Sequence, residues 1–107
     1  MLKSEGNRLV VNDFVTGDPL SEENLKQTID IVCGKGVKKE TILYSNWEIP
    51  AILKSPIRRK IASFCNYIVD GRFKKEYQKD GLKWRSSSNQ HVWKNEDGKW
   101  RNITYEI

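Results

Sequence analysis

The sequence predicts a small α+β fold of winged helix-turn-helix type, with three helices followed by a C-terminal antiparallel β-hairpin or meander. Three observations lead there. Helical periodicity is confined to residues 22–70. Capping residues divide that stretch into three pieces. From Gly71 onward the pattern changes to short aromatic runs separated by Asp-Gly turns. A chain of 107 residues reads as one domain, 1–107, with one modest core.

The segment "RLVVNDF" (8–14) reads as a short strand or extended entry, and "TGDPLS" (16–21) as a turn. Ser21 stands at an N-cap position with Glu22 and Glu23 in the first turn, where the helix dipole favours acids. Leu25, Ile29, Val32 and Cys33 then mark one helical face, and Gly34 and Gly36 stop it, giving a first helix over 22–33. Val37–Thr41 reads as a short strand. Asn46 caps a second helix over 47–54, with Pro50 in the first turn, where its missing N–H is tolerated.

Ser55-Pro56 opens the longest helix, which ends near Asp70 before Gly71. Ile57, Ile61, Phe64, Cys65 and Ile68 recur at helical spacing, so Ile61, Phe64 and Ile68 are expected in the core. Arg72–Tyr77 either extends this helix or starts a strand. Beyond it, 82–86, 91–94 and 99–107 read as strands, joined by the polar loop "SSNQ" and the turn 95–98.

Charge suggests the partner. Residues 1–53 hold 6 Lys/Arg against 8 Asp/Glu, and residues 54–107 hold 13 against 6. So lopsided a distribution implies a working face for polyanions. Duplex DNA ranks ahead of RNA, and an acidic protein partner is the further option. Arg58, Arg59 and Lys60 sit at a helix start, where the dipole disfavours cations and a phosphate would favour them. Lys83 and Arg85 flank Trp84, and Lys94, Lys99 and Arg101 accompany Trp93 and Trp100. These eight basic residues are the expected nucleic-acid contacts, the two Asp-Gly tips holding phosphates as a wing. At least one of the three tryptophans is expected to pack on the longest helix.

Other classes are disfavoured. No apolar run approaches the roughly 20 residues of a membrane span, and the N-terminus has no apolar signal core. Cys33 and Cys65 read as reduced, buried thiols of a cytoplasmic or nuclear protein, with a disulfide between them left open. One histidine and two separated cysteines fill no four-ligand metal site, and no phosphate loop or nucleophile motif is present, so no cofactor and no enzyme are expected. Two alternatives stand beside the regulatory DNA-binding domain. One is a protein-binding inhibitor or adaptor, of the kind phages and mobile elements encode, with surface tryptophans as hot spots. The other is a small ribonuclease using His91 with Lys99, Arg101 or Tyr105.

Overall fold

The computed structural model describes residues 2–5, 7–34 and 40–107, with side chains from residue 7 onward. Its centre is a parallel sheet. Strands β2 (Arg8–Val11), β3 (Glu40–Ser45) and β4 (Tyr67–Asp70) run side by side in one direction. Helices connect them: α1 (Leu25–Cys33) between β2 and β3, then α2 (Ile49–Lys54) and α3 (Pro56–Ser63) between β3 and β4. Parallel neighbours require such crossovers, because a tight turn cannot reverse the chain twice. Antiparallel strands flank this core, β1 (Leu2–Glu5) beside β2, and β5 (His91–Glu96) and β6 (Lys99–Asn102) beyond β4, giving the order β1-β2-β3-β4-β5-β6.

The winged helix-turn-helix expectation is therefore overturned. The decisive stretch is 55–71. Ser55 does cap, its Oγ accepting from the Arg58 amide, and Pro56 does open the helix. The helix ends at Ser63, however, and Tyr67–Asp70 is a central strand. Ile61 and Ile68 are both fully buried, as the helical pattern expects. They reach the core from different elements, and Phe64, at the helix end, is only partly buried. Three of its four residues, Ile68, Val69 and Asp70, are buried on the two faces of the sheet, so the strand shows no alternation and blends into the preceding helical period.

Elsewhere the reading is closer. The helix over 22–33 exists, opening with a 3-10 turn at Glu22–Asn24. Cys33 is exposed, while Thr28, outside the expected apolar face, is fully buried and donates to the Pro19 carbonyl at 2.6 Å. The second helix starts at Ile49, and Ile49 and Ile52 face inward. Of the strand expected over 37–41, residues 37–39 lie outside the described residues, and Glu40 opens β3.

Two apolar clusters sandwich the sheet. Leu9, Val11, Leu43 and Ile68 meet Leu20, Val32, Ile49, Ile52, Ile61 and Ala62 of the helical layer. On the opposite face Ile42, Val69 and Val92 meet Ile103 and the rings of Tyr44, Tyr67 and Trp84. The β5–β6 turn at Asp97-Gly98 has both residues at positive φ (54° and 90°), as a type I′ hairpin requires. The first Asp-Gly-(x)-Lys-Trp-Arg copy forms no hairpin: no strand covers 82–86, and Trp84 sits in a loop at φ 69°. The repeated motif thus folds two different ways.

Candidate functional site

In sheets with a parallel core, ligands bind in the crevice outside the carboxyl ends of the strands, where the connecting loops gather. A cleft of about 420 Å³ lies there in this protein. That volume falls within the small-molecule range. Asn12 and Asp13 follow β2, Tyr44 and Ser45 end β3 with Asn46 after them, and Gly71 and Phe73 follow β4. Gln78, Ser86 and Gln90 close the other wall.

Side chains at the strand ends hold these loops in place. The Asp18 carboxylate accepts from the Leu20 amide at 2.8 Å, the Ser45 hydroxyl at 2.9 Å and the Asn46 amide at 2.5 Å, tying the loop after β2 to the end of β3. Asn24, buried beneath that loop, donates to the Asp18 carbonyl and accepts from the Thr16 hydroxyl. Gln90 braces the far wall. Its Oε1 accepts from the Ser86 and Ser87 amides at 2.9 and 3.0 Å, and its Nε2 donates to the Gly71 carbonyl at 3.1 Å. Gly71 adopts φ 99°, and a Cβ there would stand 3.5 Å from Gln90 Cα. The polar loop "SSSNQH" is therefore partly buried structure, with Ser86 and Gln90 facing the cleft.

Asp70, on the helical face, is 2% exposed, and its Oδ2 accepts from the Ile49 amide at 2.8 Å, which starts α2. Its Oδ1 and the Trp93 Nε1 are both buried without a well-formed hydrogen bond. His91 Nδ1 lies 3.9 Å from Oδ1. Burial pushes the Asp70 carboxyl above the usual range. The Ile49 amide, the Trp93 indole and the His91 ring pull it back, and Glu48 adds a smaller push upward.

The eight basic residues do not converge. Arg58 is turned inward, its Nε donating to the Leu20 carbonyl at 2.7 Å and its guanidinium stacking 3.8 Å over the Trp47 ring. Arg59 and Lys60 are exposed on the helical layer. Lys94 and Arg101 are register partners that alternation places on the opposite face, since their neighbours Trp93 and Trp100 pack toward the helices. Arg101 pairs with Glu96 at 2.8 Å and Glu106 at 2.6 Å. Arg85 donates to the Ser88 and Gln90 carbonyls. Lys83 and Lys99 are exposed. The residues proposed for ribonuclease chemistry are likewise separated: His91 faces the helices beside Asp70, Arg101 faces away, and Tyr105 is 85% exposed. The crevice carries neither a basic cluster nor a histidine, which is why charge and motif reading missed it. The polar loop 86–91 was its one signal.

A three-strand parallel core joined by helices, with a polar cleft at its carboxyl ends, defines the class. The model of the 4Fe-4S single cluster domain family matches residues 4–93. The chain belongs to that family. It is 27% identical over 88 residues to the anaerobic ribonucleoside-triphosphate reductase-activating protein of Enterobacteria phage T4, covering 79% of this chain and 53% of that one. It is 26% identical over 83 residues to the protein of the same name from Pasteurella multocida (strain Pm70), covering 73% and 51%. The chain spans about half the length of the curated relatives it matches. No solved structure gives a significant match.

These findings correct three expectations. The DNA-binding regulatory function is replaced by membership of a cluster-domain family whose matched relatives are named as activating proteins. The same names stand against the expectations of no enzyme and of a nucleic-acid partner. Among the described residues, no helix is long and apolar enough to cross a membrane.

The family name implies a 4Fe-4S cluster, and the residues present do not fit one. Such clusters are held by cysteine thiolates, commonly four. The sequence has two, Cys33 and Cys65. The cleft wall offers one carboxylate, Asp13, among amides, hydroxyls and aromatic rings. Among the described residues, no three His, Cys, Asp or Glu side chains group as metal ligands.

Proposed function

We propose that this chain works as part of an activating protein for an anaerobic ribonucleoside-triphosphate reductase, supplying the sheet and the carboxyl-end crevice. The observation that supports this most is the extent of the family match: residues 4–93 include β2, β3 and β4 and every residue lining the cleft. The names of the two relatives supply the reductase. The crevice takes a small polar ligand, held by the side chains of Asn12, Asn46, Ser86 and Gln90 and by the Tyr44 and Phe73 rings. The partner is the reductase, and the setting is the cytoplasm.

The test is a calorimetric titration of the chain into the anaerobic reductase of the same genome, with duplex DNA titrated in parallel. Saturable binding to the reductase, with DNA binding no better than that of a generic polycation, is the expected result. Specific DNA binding with no reductase binding overturns the proposal.

A further inference from the structure

We infer that residues 1–107 do not themselves ligate a 4Fe-4S cluster, at the crevice or at either cysteine. This deepens the activating-protein reading and rests on it for the crevice alone.

Topology carries the inference further than the cysteine count does. Cys33 is the last residue of α1, on the path into β3, and Cys65 lies two residues before β4. Both therefore stand at the amino ends of the parallel strands. The cleft lies at the carboxyl ends, walled by Ser45, Asn46 and Gly71. Strand β4 alone separates Cys65 from that wall by roughly 13 Å, at about 3.3 Å per residue. The two thiols also differ in access. Cys33 is exposed, and Cys65 is buried with its Sγ 3.5 Å from the Ile61 carbonyl oxygen. Bringing Cys65 to a surface cluster would pull it out of the layer of Ile61, Ala62 and Ile68. That layer closes by apolar contact, so the fold needs no iron.

The experiment is anaerobic reconstitution of the 107-residue chain with ferrous iron, sulfide and a thiol reductant. After desalting, iron, acid-labile sulfide and visible absorbance are measured. An apo-ferredoxin treated alongside shows that the conditions assemble clusters. The expected result is iron far below one per chain, no cluster absorbance, and the same thermal unfolding with and without chelator. Cys33→Ala, at an exposed position, should match the parent in every readout. A stoichiometric cluster on the chain overturns the inference, whether or not Cys33→Ala or Cys65→Ser removes it. So does a cluster at half stoichiometry bridging two copies in a dimer. Either result leaves the reductase titration standing, so this inference and the functional proposal fail separately.

Discussion

Removing the Gln90 side chain should loosen the crevice wall and destabilise the fold by a calculable amount. Gln90→Ala deletes three hydrogen bonds, to the Ser86 amide, the Ser87 amide and the Gly71 carbonyl. Ser86 is exposed, and water replaces its partner. Ser87 is fully buried and Gly71 is buried, so two main-chain groups lose their partners out of reach of solvent. Each such group costs about 1–3 kcal/mol, so the loss should be about 2–4 kcal/mol, allowing for some relaxation of the loop. Urea unfolding measures it as a shift in midpoint at constant slope. Gln90→Glu sharpens the test. Ionised, it still accepts from both serine amides but turns a carboxylate oxygen toward the Gly71 carbonyl; protonated, it donates there as glutamine does. Burial and the Gly71 carbonyl should raise the folded-state pKa of that glutamate against the opposing pull of the two serine amides. Its stability should be full below the unfolded-state value and fall as pH rises through the folded one. A Gln90→Ala loss under about 0.5 kcal/mol, within the range of ordinary surface substitutions, or a Gln90→Glu profile parallel to the parent's, would refute the bracing role.

Other outcomes follow from the same geometry. Gly71→Ala forces an L residue to φ 99° and should cost about 1–2 kcal/mol by the same unfolding assay, the usual penalty of left-handed backbone. Asp70 has a raised carboxyl, so the ion is disfavoured in the fold and its contribution to stability diminishes as pH rises past the unfolded-state carboxylate range. Asp70→Asn should accordingly flatten the pH dependence of the melting temperature on the alkaline side of that range; an unchanged profile would contradict the assignment. Trp93→Ala, removing an indole packed against the helical core, should cost about 3–5 kcal/mol in urea unfolding. Arg101→Ala, which breaks only exposed pairs with Glu96 and Glu106, should leave the urea midpoint nearly unchanged, with any loss shrinking at high salt.

What could be read from the sequence followed local chemistry. Ser55-Pro56 and the Asp97-Gly98 turn were legible because caps and hairpin turns depend on a few adjacent residues. "YIVD" was not, because a short strand buried on both faces carries no period of its own and happened to continue the helical one. "RLVV" reads as extended. Its parallel partner β3 lies some thirty residues away across α1, and no local signal announces that pairing. At the site, lysine and arginine counts did not point to the crevice, because three of the arginines are engaged by the chain itself: Arg58 on Leu20 and Trp47, Arg85 on loop carbonyls, and Arg101, at the surface, on two glutamates. The crevice is built from Asn, Ser, Gln and Tyr, residue types that resemble ordinary loop until a fold gathers them at one end of a sheet.

Under the proposed function, the carboxyl-end crevice and its loops face the reductase. Hydrogen exchange of the chain, alone and with saturating reductase, tests it directly. Protection should appear in the loops 12–17, 71–78 and 86–90, while the outer faces of α1 and α3 exchange as in the free chain. Binding that protects those helices and leaves the three loops unchanged would place the reductase on the helical layer instead and overturn the proposed role of the crevice.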